Sequence, residues 1–306
     1  MSAPLPTLRP NQVLAALNAL GREQRRPVAE LYSLYALERV LDRLRHTRYR
    51  DDFILKGGIL LAAYRLRRPT GDIDLQAMDF ALDVEHVRAV IEEIASVRID
   101  DGLALSLTSV IVEQIRDDEE YAGLRVIVKE ATLHGRRLPA AVKIDISTGD
   151  PILPEPQTVR LPGLLGGFVE VSGHPLPTVI AEKTVTVLQR GTQSTRWRDY
   201  IDVRSLAGRY SFVAGELLAA GMATAAHRGV ELGSLATVTQ AYGAVGQAKW
   251  SAWIVKNGVQ DVAQAKLDDQ IADIVAFADP VYTRAVSTDA TWDPNAYAWT
   301  DPGRPP

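Results

Sequence analysis

The chain has 306 residues, a formal charge of −4, and 46% hydrophobic and 24% charged residues. This is the profile of a folded globular protein of one large or two modest domains, and it excludes disordered, collagenous and low-complexity classes. It contains no cysteine, so disulfide frameworks, cysteine-ligated zinc, iron–sulfur clusters and thiol nucleophiles are excluded too. No apolar run approaches the ~20 residues that cross a bilayer. Met1-Ser-Ala-Pro-Leu-Pro also lacks the basic start and apolar stretch of a signal peptide, so a soluble protein of the cytoplasm, with no membrane partner, is expected.

Taken in chain order, apolar positions at helical spacing predict helices over 10–21 and 28–46, the second carrying Leu31, Leu34, Leu37, Val40, Leu41 and Leu44, with Pro27 between them. Phe53-Ile-Leu reads as a short strand, Lys56-Gly57-Gly58 as a tight turn, and Ile59-Leu-Leu-Ala-Ala-Tyr64 as a helix. A second strand is predicted over 72–76 and a helix over 83–97. Alternating or β-branched stretches predict strands near 103–115, 124–134 and 141–148. Residues 149–177, rich in Pro and Gly, read as a loop-rich junction. From Thr178 to about Phe277 the Ala- and Leu-rich pattern predicts a helical bundle, and the Pro-containing tail 287–306 reads as extended or frayed. The expected organisation is therefore a domain over 1–177 and a helical domain over 178–306.

Charge is uneven along the chain. Residues 1–50 hold nine Arg against four Asp or Glu, and Arg65, Arg67 and Arg68 follow. A basic N-terminal face on an acidic chain points to a polyanionic partner, solvated helix surface being the alternative reading.

Several site types are struck out by inspection. The five His are scattered with no i, i+4 pair, and there is no G-x-S-x-G elbow, Walker A loop or G-x-G-x-x-G fingerprint. Carboxylate chemistry remains. Asp72 and Asp74, two apart on a strand, point to one face, and two like charges so placed call for a hard cation with oxygen ligands such as Mg²⁺. Asp145, flanked by Ile144 and Ile146, offers a third carboxylate that completes a metal site or accepts a proton from an attacking hydroxyl. Lys56, Gly57 and Gly58 outline an anion cradle in which bare glycine backbone exposes N–H groups, the alternative being an ordinary tight turn. In the helical half, Lys183, Arg190 and the run Arg196-Trp-Arg-Asp199-Tyr-Ile-Asp202 supply either charge for a polyphosphate or a paired helix face.

A Gly-Gly turn, a D-x-D strand and a later strand Asp form the pattern of polymerase-β-like nucleotidyltransferases. The ordered series Arg50-Asp-Asp-Phe-Ile-Leu-Lys-Gly-Gly, Arg68-Pro-Thr-Gly-Asp-Ile-Asp-Leu, Tyr121-Ala-Gly-Leu-Arg-Val, Lys143-Ile-Asp-Ile-Ser, Val179-Ile-Ala-Glu-Lys183 and Arg198-Asp-Tyr-Ile-Asp resembles the AbiEii family of nucleotidyltransferase toxins, which includes the mycobacterial MenT toxins. The resemblance implies an α+β protein with a polymerase-β-like nucleotidyltransferase core, a mixed sheet with flanking helices, and a C-terminal helical bundle. It implies an enzyme that moves a nucleoside monophosphate from an NTP to an acceptor, in better understood relatives the 3′ end of tRNA. Aminoacylation and translation then stop, and a separately encoded antitoxin is the cognate partner. It further implies that Asp72, Asp74 and Asp145 hold Mg²⁺ or Mn²⁺ and that Asp145 assists the hydroxyl. Lys183 would meet the phosphates and Asp199 would complete the site. Lys56, Gly57, Gly58 and Thr70 join Lys183 in holding the nucleotide, and Arg65, Arg67 and Arg68 are the nearest candidates for tRNA phosphates. Two positions depart from the family pattern. Ile59 replaces the Ser that commonly follows the Gly pair, leaving backbone N–H groups to contact phosphate, and Gly71 replaces a charged residue. The competing readings are a non-catalytic nucleotide- or RNA-binding protein that retains the fold, and a transferase acting on a protein or a small molecule.

Overall fold

The computed structural model describes residues 10–78, 80–115 and 123–302. Tyr121 and Ala122 of the central motif, the start of the chain and the last four residues of the expected tail lie outside the described residues. The chain divides into two compact units, Met1–Gly149 with Pro156–His174, and Asp150–Glu155 with Pro175–Pro306.

The first unit is α+β. Its helices are α1 (Pro10–Gln24), α2 (Val28–Leu44), α3 (Gly57–Leu60) and α4 (Val84–Ser96). Its strands are β1 (Phe53–Lys56), β2 (Ile73–Ala77), β3 (Leu103–Leu105), β4 (Val110–Gln114), β5 (Gly123–Val128), β6 (Ala131–Leu133), β7 (Arg136–Arg137), β8 (Val142–Ser147), β9 (Gln157–Pro162) and β10 (Phe168–Gly173). Seven of them form a mixed sheet in the order β4-β5-β8-β2-β1-β10-β9. The pairs β2–β8 and β1–β10 run parallel and the others antiparallel. A small second sheet has the order β3-β6-β7.

The alternation that marked the strands decides which face is buried. Ile73 and Leu75 of β2, Ile144 and Ile146 of β8, and Phe53 and Leu55 of β1 are buried, and α2 packs against β8 and β10. That leaves the even positions of β2 to carry polar side chains on the other face.

Helix α2 is enclosed on all sides from Leu34 to Leu44, and its interior includes Glu38, Arg39, Asp42 and Arg43. Buried charges of this kind need partners. Arg43 supplies a bidentate fork to Asp101, with N···O distances of 2.5 and 3.0 Å, and donates to the Leu103 carbonyl. Asp101 in turn accepts from the Leu103 N–H, and the Tyr35 hydroxyl donates to the Asp101 carbonyl. The small sheet is thereby tied to α2 at its first strand.

In the first unit several expectations need correction. The junction 149–177 is not all loop, because it contains β9 and β10, an antiparallel pair at one side of the large sheet. Its prolines and glycines sit in the flanks and the turn, and β9, as an edge strand, tolerates Pro162 at its end. The stretch 103–115 is two strands of different sheets separated by a short 3₁₀ turn at Leu107–Ser109, and 124–134 is divided in the same way between β5 and β6. The helix expected over Ile59–Tyr64 is a four-residue helix that begins at Gly57 itself. It is continued by i→i+3 turns to Arg65, whose positive φ of 56° ends the run.

The second unit is built on α5 (Leu176–Arg190), α6 (Trp197–Ala207), α7 (Ala214–His227), α8 (Leu235–Val238), α9 (Tyr242–Asn257) and α10 (Leu267–Tyr282), with a hairpin of β11 (Thr291–Asp293) and β12 (Ala298–Thr300). Helix α10 contacts α6, α7, α8 and α9. The tail is therefore ordered through Thr300, contrary to the expectation of a frayed end. Trp292 is 1% exposed, stands 4.9 Å from the Phe277 ring, and donates its indole N–H to the Ala207 carbonyl. An aromatic side chain of that area buried in the bundle outweighs the local preference of a Pro-containing tail for disorder.

Removing one partner of the Arg43–Asp101 pair leaves the other charge buried. Asp101→Ala is expected to lower unfolding free energy by about 3–5 kcal/mol. Urea denaturation followed by circular dichroism checks this, and a loss under about 1 kcal/mol, the scale of an exposed pair, would mean that the clamp does not hold the small sheet.

Candidate active site

Sheet register assembles the site. Lys56 of β1 lies opposite Asp74 of β2, Asp74 lies opposite Asp145 of β8, and Asp145 lies opposite Arg125 of β5. One rung crossing four neighbouring strands thus reads Lys, Asp, Asp, Arg. Asp72 stands just before β2, on the Asp74 side of the alternation. One carboxylate oxygen from each of Asp72, Asp74 and Asp145 lies within 4.8 Å of the others.

The Gly pair supports these carboxylates. Gly57 has φ +65°, and a Cβ there would come within 1.8 Å of Asp74 Oδ2. Only glycine fits both the left-handed backbone and the packed carboxylate. The Gly58 N–H donates to Asp74, and a Cβ on Gly58 would meet Thr70 Oγ1 at 2.8 Å. Thr70 itself donates to Asp72 Oδ1 at 3.0 Å. In this structure the turn and Thr70 therefore serve the carboxylates directly. With only four residues, α3 has little dipole to offer an anion.

Electrostatics records the crowding. Desolvation pushes the Asp74 carboxyl up to about 6, and Asp72 and Asp145 add to the rise, while Lys56 and the Gly58 N–H oppose it. Three hard oxygen donors that repel one another at this range fit a divalent cation of the Mg²⁺ or Mn²⁺ type.

The loop before Asp72 is anchored to α2. Arg67 donates to Glu38 at 2.7 Å and also to the Pro162 carbonyl, and Glu38 accepts from the Leu164 N–H at 3.0 Å. Burial raises the Glu38 carboxyl, the Arg67 charge opposing the shift. Among the three arginines expected to face RNA, Arg67 is thus engaged within the unit, Arg68 is half-buried, and Arg65 is exposed.

Lys183 and Asp199 belong to the second unit, where the structure brings them together. The Lys183 ammonium lies 2.6 Å from Asp199 and 2.9 Å from Asp202, and Arg196 reaches Asp199 at 4.0 Å. Sequence reasoning missed two residues of the first unit. Arg125 forms a two-point pair with Asp145, and Gln76, next along the carboxylate face of β2, hydrogen-bonds His174 Nε2 at 2.9 Å. The signal for Arg125 was present in the sequence: it is a lone charge between Leu124 and Val126, the same mark that singled out Asp145.

The raised Asp74 carboxyl has a definite sign in folding. A group protonated more readily in the folded state contributes stability below its ordinary value of 3.8 and loses it as pH rises through about 6. Asp74→Asn, which mimics the protonated form, is expected to melt higher than wild type at pH 7–8 in EDTA, with the difference vanishing near pH 4. Thermal melts across that range check it, and a difference independent of pH would contradict the raised Asp74 carboxyl.

No helix of the described residues is long and apolar enough to cross a membrane. No curated protein matches the sequence. Among solved structures, the chain is similar to MenT4, a nucleotidyltransferase toxin from Mycobacterium tuberculosis H37Rv, with a TM-score of 0.45 and 18% identity over 67% of this chain and 68% of that one. A family model described as nucleotidyl transferase AbiEii toxin, type IV toxin–antitoxin system, matches residues 39–275. That span takes in the Gly-Gly turn, all three carboxylates and the helices through most of α10, and the protein accordingly belongs to the AbiEii family of nucleotidyltransferase toxins.

Proposed function

We propose that the chain is a metal-dependent toxin that transfers a nucleoside monophosphate from an NTP to the 3′ end of tRNA, blocking aminoacylation and hence translation. The observation that carries the reading is the convergence of Asp72, Asp74 and Asp145 within 4.8 Å beside the Gly57-Gly58 turn.

Asp72, Asp74 and Asp145 would hold Mg²⁺ or Mn²⁺, which when bound supplies neutralisation of charge on the transferring phosphate. Asp145 accepts the proton of the attacking hydroxyl as its oxygen bonds to the α-phosphorus and pyrophosphate leaves. Thr70 and Gly58 hold Asp72 and Asp74 in place by their hydrogen bonds, and Lys56, Gly57, Gly58 and Thr70 form the wall on which the nucleotide is read. Lys183 is the second unit's cation for the polyphosphate, with Asp199 orienting it. Its partners make the obvious variant a double test: Lys183→Ala removes the cation and also takes it from Asp199 and Asp202, so loss of transfer counts for a phosphate role only where the melting temperature is kept. Membership of a type IV toxin–antitoxin family supports a cognate antitoxin as partner. The substrates named are those of the cytoplasm, where the reading puts the protein.

Incubation with total tRNA and each labelled NTP in turn, with Mg²⁺, is expected to label tRNA with one preferred base. Asp72→Ala is expected to abolish labelling and growth inhibition while the fold stays intact or gains slightly from relieved repulsion. A folded Asp72→Ala protein with full activity would overturn the carboxylate mechanism.

Arg65 is the exposed candidate for a tRNA phosphate. Arg65→Glu is expected to raise the KM for tRNA and to flatten its salt dependence, since each lost phosphate contact removes roughly one released counterion. NTP affinity should stay unchanged. Identical tRNA kinetics across a salt series would return Arg65 to solvated surface.

A further inference from the structure

The rung that builds the site ends in a guanidinium. Arg125 donates from Nε to Asp145 Oδ1 at 2.8 Å and from Nη2 to Oδ2 at 2.7 Å. Both oxygens of the third carboxylate are therefore engaged by one planar fork, which fixes the carboxylate plane as a single hydrogen bond does not. The arrangement is set by backbone register, because Arg125 and Asp145 are directly opposed in the β5–β8 ladder. Each oxygen retains a further lone pair, so the fork leaves Asp145 able to meet a cation and a hydroxyl on its outward edge.

The pair is unusual as a stability device. Its side chains are 34% and 17% exposed, a setting in which a cross-strand ion pair contributes at most about 1 kcal/mol. Toward a metal ion it is a competitor, since it places a positive charge on a ligand oxygen. The geometry makes sense if orientation of Asp145 is worth more to the reaction than the tightest hold on the cation.

We propose that Arg125 is a positioning residue of the transfer reaction: its fork aims the Asp145 carboxylate and offsets one negative charge of the triad, trading cation affinity for alignment of the proton acceptor. This rests on the nucleotidyl-transfer reading above. Charge and fork are separable, because lysine keeps the charge without the fork and methionine removes both.

The test uses the full chain and two readouts. Mn²⁺ alone is titrated by the spin-resonance signal of the free ion, and transfer to tRNA is measured at steady state. For Arg125→Met, loss of a cation a few ångströms from the site is expected to tighten Mn²⁺ binding by about threefold or more. Its kcat is expected to fall by about tenfold or more, with the KM for NTP unchanged, because alignment is lost and substrate contacts are not. For Arg125→Lys, Mn²⁺ affinity is expected to stay within about twofold of wild type, while kcat falls as in the methionine variant. Should the methionine variant fail to fold by thermal melt, the lysine variant decides by its fall in kcat at wild-type Mn²⁺ affinity. Wild-type kcat in either variant overturns the positioning role, and weaker Mn²⁺ binding in a folded Arg125→Met protein overturns the charge offset. An inactive wild type whose variants still rank as expected toward Mn²⁺ overturns the transfer reading and supports the offset. An active wild type with indifferent variants overturns the Arg125 proposal alone.

Discussion

Two carboxylates opposed on adjacent parallel strands, with a third just before one of them, are the constraint around which the first unit is arranged. Asp74 and Asp145 face one another across β2 and β8, and their repulsion needs relief. Relief comes from neighbours on either side in the same rung. Lys56 stands opposite Asp74, and Arg125 stands opposite Asp145. Backbone and hydroxyl donors, the Gly58 N–H on Asp74 and Thr70 on Asp72, finish the balance without adding charge. Burial first, and Asp72 and Asp145 after it, still hold the Asp74 carboxyl up at about 6, and three oxygen donors so close together suit a divalent cation.

Such a balance survives only on a stiff frame, since a shift of 1 Å in any of these groups changes the repulsion by a sizeable fraction. The frame is α2. Its Glu38 takes Arg67 from the loop that leads to Thr70 and Asp72, together with the Leu164 N–H from the turn between β9 and β10. Its Arg43 takes Asp101 and the Leu103 carbonyl. A helix enclosed on all sides with four charged residues inside is costly to desolvate, and polar anchors of this sort specify one placement of the surrounding segments rather than maximise stability.

Much of this was legible in the sequence because it follows from period-two alternation. Asp72 and Asp74 share a face, Ile73 and Leu75 take the other, and Asp145 stands out between Ile144 and Ile146. What could not be read is whatever depends on register between strands far apart in the chain. The Arg125–Asp145 opposition spans twenty residues and has no local signature beyond an isolated charge in an apolar strand. The strands β9 and β10 were hidden by Pro and Gly that belong to their ends and turn, and the hairpin after α10 by a Pro-rich composition that Trp292 overrides through burial. Arg67, grouped with Arg65 and Arg68 by sequence proximity, is tied to Glu38, twenty-nine residues away.

The second unit poses the complementary question of charge. Lys183 and Asp199 were grouped as parts of one machinery by the motifs they resemble, and the structure makes them partners of each other. With Asp202 and Arg196 the cluster sums to zero, and Lys183 is only 12% exposed within it. A cation already satisfied by two carboxylates at 2.6 and 2.9 Å exerts little field on a distant anion, because its partners cancel it beyond a few ångströms. For Lys183 to stabilise a polyphosphate it must exchange a carboxylate for a phosphate oxygen, and the exchange leaves Asp199 or Asp202 with one cation fewer. Arg196, 40% exposed and already within 4.0 Å of Asp199, is placed to take up the freed carboxylate. The pairing of Lys183 with Asp199 and Asp202 is therefore a charge balance internal to the second unit, with Arg196 as its fourth member.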